Sequence, residues 1–295
     1  MEKNMKNCYL KIDNIDSFEL KDIFECGQCF RWKKIDENTY VGVIKQGVVK
    51  VEKELNTVSF SGCMLDEIED FEAIIRDYFD LDTDYSSIKE KLSKIDSYMK
   101  ESISFGTGIR ILHQDLWETL ISFIISANNN IPRIKGIIDR IAKKYGKKVE
   151  FEGEEYFLFP TVEELKDAKV EDFKALGAGF RDKRLYKTSQ MVYSQEISLT
   201  EIESLDDTSK MRDMLLKFDG VGPKVADCIL LFALKRFDVF PVDVWVRRVM
   251  NDLYIKKDDE SKVSKNEILK LAADKFGSLS GMAQQYLFYW RREEK

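Results

Sequence analysis

Up to about residue 60 the hydrophobic positions fall in short β-branched runs. Tyr40-Val41-Gly42-Val43-Ile44 and Val48-Val49-Lys50-Val51 flank a Gln46-Gly47 turn, and Thr57-Val58-Ser59-Phe60 follows. Such runs bounded by turn residues predict strands, here an antiparallel meander. From about residue 65 the spacing becomes helical. Trp117, Leu120, Ile121, Ile124 and Ile125 recur at i, i+3, i+4, i+7 and i+8, and Ile134, Ile137, Ile138 and Ile141 continue the spacing in a second helix. Phe173-Lys174-Ala175-Leu176 runs into Gly177-Ala178-Gly179, a predicted helix stop and turn. The apolar positions Met211, Met214, Leu215 and Phe218 precede a glycine turn that opens another helix, a hairpin of helices near 213–228. No low-complexity linker or internal repeat interrupts the chain. The pattern predicts an α+β protein: an antiparallel β-rich N-terminal domain over 1–100, then an all-α domain over 101–295.

A chain of 295 residues suffices for two or three domains, and 44% hydrophobic against 34% charged residues fit a soluble globular protein. It has no apolar run of about 18 residues, so no spanning helix is expected. The start, Met1 to Asn7, lacks the apolar core of a signal peptide. The expected location is cytoplasmic, with nucleoid association if the chain is bacterial. The five cysteines, Cys8, Cys26, Cys29, Cys63 and Cys228, are an odd number and read as reduced thiols. Cys26-Gly27-Gln28-Cys29 has C-x-x-C spacing, but no second ligand pair accompanies it and the only histidine is His113. A metal or redox role is not expected there.

The net charge of −6 argues against indiscriminate coating of nucleic acid, though not against a local basic face. Bases crowd 133–148 and 181–187; acids crowd 65–84 and 150–172.

The candidate chemistry lies in Asp219-Gly220-Val221-Gly222-Pro223-Lys224. Gly220 and Gly222 permit positive φ and close approach of a ligand. Pro223 suits the first turn of a helix, whose free N–H groups and dipole favour a phosphate. By itself this motif is equally that of an ordinary helix–turn–helix connection. Lys224 at the positive helix end is expected to have a lowered pKa, one route to an amine nucleophile. Cys228 lies one turn on along the same face. Asp227, in the first turn, complements the dipole and takes a structural role. Asp243, in Phe240-Pro241-Val242-Asp243-Val244, is expected to be partly buried. It can cap the helix that follows or stabilise a cation, and the residues alone leave both open.

At these residues the chain resembles the helix–hairpin–helix DNA glycosylases that carry a Gly/Pro-rich loop and an aspartate. Within them it is most similar to the 8-oxoguanine DNA glycosylase/lyases. Gly220 to Cys228 and Pro241 to Val244 resemble the catalytic hairpin and aspartate loop. Ser126-Ala127-Asn128-Asn129-Asn130-Ile131-Pro132-Arg133-Ile134 resembles the asparagine loop, and Leu176-Gly177-Ala178-Gly179-Phe180-Arg181 the wedge loop. Gly27-Gln28-Cys29-Phe30-Arg31-Trp32 resembles the N-domain segment beside the lesion. Ala283-Gln284-Gln285-Tyr286-Leu287-Phe288 resembles the C-terminal helix of the base pocket.

The resemblance implies a TATA-binding-protein-like N-terminal domain ahead of the glycosylase domain. The implied activity is excision of 8-oxoguanine from double-stranded DNA by base flipping, a lysine Schiff base and β-elimination. Lys224 would attack the sugar C1′, and Asp243 would stabilise the cationic sugar. Gly27 would accept the N7 hydrogen that guanine lacks. Phe288 and Cys228 would sandwich the flipped base, and Gln284 would bond its Watson–Crick edge. Asn128 would fill the vacated space, Phe180 would wedge the stack, and Arg133 and Arg181 would hold the orphaned cytosine. Gly220 and Gly222 would seat a backbone phosphate.

The implied enzyme is a monomer that needs no redox cofactor or catalytic metal and no membrane. A structural monovalent cation on the hairpin's backbone carbonyls is compatible with the resemblance. An iron–sulfur cluster is not, since Cys228 is the only cysteine after Cys63. Two positions depart from the family pattern. Trp245 stands where an imidazole is usual, and Phe232 where a methionine is usual. A DNA-binding module without chemistry and a glycosylase for alkylated bases or oxidised pyrimidines are the competing readings.

Overall fold

The structure is a computed structural model that describes residues 5–45, 47–65 and 70–294. Met1 to Asn4, Gln46 of the expected turn, and residues 66–69 of the acidic run lie outside the described residues. Five antiparallel strands form the N-terminal sheet: β1 (Met5–Asp13), β2 (Trp32–Asp36), β3 (Thr39–Ile44), β4 (Gly47–Glu54) and β5 (Thr57–Leu65). β3 to β5 are the expected meander, and β2 adds at the edge beside β3. β1 adds on the far side of β5, from Met5 opposite Leu65 to Asp13 opposite Thr57, so the order is β1-β5-β4-β3-β2. Helix α1 (Leu20–Glu25) joins β1 to β2. Trp32 pairs across the sheet with Gly42, where any Cβ would stand 2.4 Å from the indole. Phe24 stacks on Trp32 at 4.1 Å, and Tyr40, Phe60 and Phe79 complete this aromatic core.

Helices then take over: α2 (Phe71–Tyr78), α3 (Tyr85–Ser93), α4 (Ser97–Phe105), α5 (Leu116–Ser126) and α6 (Ile131–Tyr145). A hairpin of β6 (Lys148–Phe151) and β7 (Glu154–Phe157) follows α6, and its Val149 and Phe151 pack with Val41, Val43 and Val48 of the first sheet. The chain continues through α7 (Val170–Ala175), α8 (Asp182–Tyr193), α9 (Leu199–Ser204), α10 (Thr208–Leu215), α11 (Pro223–Ala233), α12 (Val244–Met250), α13 (Lys265–Phe276) and α14 (Ser280–Glu293).

The apolar stripes of α5 and α6 are buried as their spacing predicts. Tyr85 and Leu92 of α3 and Met99 of α4 share that core with α11 and α14. Many of the acids serve as caps. Asp70, Asp84, Asp96, Asp115 and Asp207 each accept the N–H three residues ahead, satisfying a donor that the helix cannot.

Polar side chains fasten the sheet region to the helices. Gln28 donates to the Ile23 and Arg110 carbonyls (2.8 and 2.7 Å) and accepts from Leu112 N–H (2.8 Å). Asp77 meets His113 (3.0 Å), Lys235 (2.8 Å) and Lys45 (3.0 Å). Arg31 reaches Glu118 of α5 at 3.3 Å, and burial pushes that carboxyl up to about 7 against the pull of Arg31. Among the described residues no helix is long and apolar enough to cross a membrane.

Candidate active site

Helix α11 begins without a side-chain cap. Gly222 is its N-cap and Pro223 its first residue, so the first-turn donors lack the oxygen that Ser or Asp would offer. Gly220 has φ +93 and fits closely on Arg184, whose Cδ would lie 2.8 Å from a Cβ added there. Gly222 differs from expectation. Its φ of −91 is open to any residue, and a Cβ there would meet nothing within 4 Å. Only Gly220 uses the left-handed region; Gly222 leaves open space at the helix mouth.

Lys224 is partly buried in the first turn, with Nζ 5.5 Å from the centroid of Phe123. Phe232 lies flat against the same Phe123 (5.7 Å, 18°), and Phe30 meets it edge-on (5.5 Å). The departure at 232 thus builds the floor beneath the lysine. The expectation of a lowered lysine pKa is not met. The Cys228 sulfur one turn along raises it most, Asp243 adds to that, and burial pulls the other way. Burial pushes the Cys228 thiol itself up. Cys228 lies one turn along α11, and Asp243 is brought up by the start of α12.

Asp243 is partly buried and is the N-cap of α12, accepting Val246 N–H at 2.8 Å. The cap holds the carboxylate on the side where its charge is felt by Lys224 and Cys228. Trp245 packs against the helical core. Asp227 has the expected structural role by another route. It is buried and pairs with Arg212 of α10 (2.9 Å) and Lys265 of α13 (4.0 Å), so it joins three helices rather than serving the dipole.

Gly27 follows α1 with φ +92, which strongly favours glycine. A Cβ there would stand 3.3 Å from Phe288 and 3.0 Å from Arg292 of α14, so Gly27 and Phe288 form adjoining walls. Gln284 is buried on the same helix, and Cys228 is buried on α11.

The asparagine and wedge loops also meet. Asn128 is exposed with φ +51, and Asn130 caps α6 by accepting Arg133 N–H (3.0 Å). Phe180 is 58% exposed. Arg133 is exposed and lies 3.4 Å from the Gly177 carbonyl. Arg181 is placed differently from expectation: it is 1% exposed. It donates to the carbonyls of Ala127 (3.0 Å), Asn128 (2.9 Å) and Ala178 (3.2 Å), and its guanidinium lies 4.1 Å from the Phe180 ring. In this state Arg181 ties the two loops together instead of facing an opposite strand.

A cleft of about 1070 Å³ lies elsewhere, between β2–β3 and the β6–β7 hairpin. Cys26 and Cys29 are buried free thiols, and burial raises both, to about 11 for Cys26. Sequence reasoning missed Phe123, Gln285 and Arg292. The Gln284-Gln285 pair was a signal for the second; nothing local marks the others.

Two family models match the chain. "8-oxoguanine DNA glycosylase, N-terminal domain" covers residues 10–120, and "HhH-GPD superfamily base excision DNA repair protein" covers 121–274. The chain is similar in structure to Clostridium acetobutylicum 8-oxoguanine glycosylase/lyase, solved with double-stranded DNA containing cytosine opposite 8-oxoguanine. Identity is 45%, the TM-score 0.90, and 98% of each chain is covered. An N-glycosylase/DNA lyase of Saccharomyces cerevisiae is 30% identical over 280 residues, 85% of this chain and 71% of that one. A probable N-glycosylase/DNA lyase of Methanothermobacter thermautotrophicus is 29% identical over 230 residues, 71% and 70% of the two chains.

Proposed function

Because the chain belongs to the HhH-GPD superfamily of base excision DNA repair proteins, we propose that it is a bifunctional glycosylase and AP lyase that excises 8-oxoguanine from double-stranded DNA. The observation that carries this is the placement of Lys224 at an uncapped, glycine-opened helix start, within electrostatic reach of the capping carboxylate Asp243. The open helix mouth at Gly220 to Gly222 takes a backbone phosphate, which brings the sugar to the amine.

Lys224 attacks C1′ once it has lost its proton. The bond to the base breaks, and its electron pair leaves with the base, which takes up a proton. Asp243 stabilises the positive charge that grows on the sugar as this happens. The sugar ring opens to a Schiff base on Nζ. Loss of a C2′ proton then expels the 3′ phosphate by β-elimination. A base inside a duplex cannot be reached at C1′, so it is first flipped out at a cost of a few kcal/mol. Phe180 and Asn128 offset part of that cost by wedging and filling the stack, and Arg133 meets the orphaned cytosine. Phe288 stacks on the flipped base, worth about 1–3 kcal/mol. Cys228 and Gln284 supply the other face and the Watson–Crick contact. Gly27 offers its carbonyl to N7–H, and guanine, with an acceptor there, is refused.

Nucleophile and carboxylate both come from the chain, so no cofactor enters the reaction. A structural monovalent cation on the hairpin's backbone carbonyls belongs to the proposal. The enzyme acts as a monomer in the cytoplasm.

Borohydride reduction during turnover tests the chemistry. The wild type should form a covalent adduct with 8-oxoguanine duplex, and Lys224→Gln should not; absence of adduct from the wild type removes the Schiff base. Competition between lesion duplexes, with each of the four bases opposite, tests the substrate. If 8-oxoguanine fares no better than thymine glycol, the role of Gly27 is wrong.

A further inference from the structure

Helix α1 has six residues and ends at Glu25, one residue before the turn that carries Gly27. The last carbonyls of a helix have no partner of their own and favour a cation, yet α1 has no basic residue in its last turn. The partners come from α14, some 260 residues later. Gln285 Nε2 donates to the Cys26 carbonyl at 2.8 Å, in the buried interior. Arg292 Nη2 donates to the Glu25 carbonyl. Between them Tyr289 Oη donates to Asp22 of α1 at 3.2 Å. Positions 285, 289 and 292 lie on one helix face at i, i+4 and i+7.

We propose that Gln285 and Arg292 are positioning residues for lesion discrimination. They cap the end of α1 and so hold the Gly27 carbonyl where it distinguishes 8-oxoguanine from guanine. This rests on the reading of Gly27 given above. The same helix bears Phe288, and the Arg292 guanidinium lies 5.5 Å from that ring. Arg292 Nη1 also stands 3.0 Å from where a Gly27 Cβ would be. One rigid element therefore sets both the stacking wall and the reading carbonyl. Discrimination by a single N7 hydrogen depends on that registration, because a hydrogen bond weakens steeply with distance and angle.

The test compares two activities in single-turnover assays on the full chain. Base excision is measured on 8-oxoguanine and on guanine opposite cytosine, and strand cleavage on a preformed abasic duplex, which uses Lys224 but has no base to read. For Gln285→Leu and Arg292→Met, 8-oxoguanine excision should fall about tenfold, one lost hydrogen bond's worth. Preference over guanine should narrow, while abasic-site cleavage stays within about twofold. Arg292→Lys, which keeps a donor for the Glu25 carbonyl, should retain more selectivity than Arg292→Met. If both activities fall in parallel, or the preference survives in both variants of a selective wild type, the positioning role is wrong. A wild type that does not prefer 8-oxoguanine overturns the reading of Gly27 itself, and the inference with it.

Discussion

Arg181→Met separates an internal clasp from a contact with DNA. The substitution keeps an apolar stem and removes every donor. Arg181 donates to three carbonyls, those of Ala127, Asn128 and Ala178. Hydrogen bonds from a charged group are worth about 1.5–3 kcal/mol each. Against their sum stands the cost of burying a guanidinium. Burial, with Arg133 and Arg184 repelling it, lowers its pKa, and no carboxylate pairs with it among the described residues. Removing one member of a buried polar network typically costs about 3 kcal/mol once such terms offset. At roughly 2–4 °C per kcal/mol for a chain of this size class, Tm should fall by about 6–12 °C.

The loop should also slacken, since the Arg181 guanidinium holds the Ala127 and Asn128 carbonyls where the backbone turns through φ +51. Thermal denaturation gives the first quantity, and amide exchange across 127–131 the second. A variant with unchanged Tm and exchange that has lost its preference for cytosine refutes the clasp, and places the guanidinium on the opposite strand.

Asp243→Asn keeps the cap, since Asn caps a helix as well as Asp, and removes the charge. Stability should change by less than about 0.5 kcal/mol, while turnover drops about a hundredfold or more; a drop in Tm with turnover per folded molecule intact would leave Asp243 as a cap alone. Cys228→Ala removes the largest influence holding Lys224 protonated. The pH midpoint for borohydride trapping should move down, and an unmoved midpoint would show that the thiol does not govern the amine. Glu118 is protonated up to about 7 in the folded state against 4.5 for an ordinary glutamate. The unfolded chain therefore releases this proton first, and stability falls as pH rises from about 4.5 to 7, by roughly 3 kcal/mol. Denaturation of wild type and Glu118→Gln at pH 5 and 8 reads it directly: the wild type should lose stability relative to the variant, and a constant difference would exclude the effect.

What was legible in the sequence, and what was not, follows the range of the interactions. Local signals carried the meander, the hairpin of helices and the buried stripes of α5 and α6, because strand and helix periods are set by residues a few positions apart. β1 and β2 were missed, β1 although Cys8, Leu10 and Ile12 alternate with exposed Asn7, Tyr9, Lys11 and Asp13. The β6–β7 hairpin hid in an acidic run, although Gly153 at φ +81 marks its turn.

The site divides the same way. The glycine turn, the asparagines and the exposed Phe180 lie in contiguous motifs. Arg181 sits in such a motif too, yet two of its three carbonyl partners lie 53 and 54 residues away, which no local pattern reveals. Lys224 shows the limit most plainly. The helix end alone predicted a lowered pKa, but Cys228 and Asp243 reverse it, and only the second of those required the fold. Cys228 was in view one turn along the same helix. The amine is therefore not prepared for attack by its helix. Its proton must leave during turnover before Nζ can attack C1′.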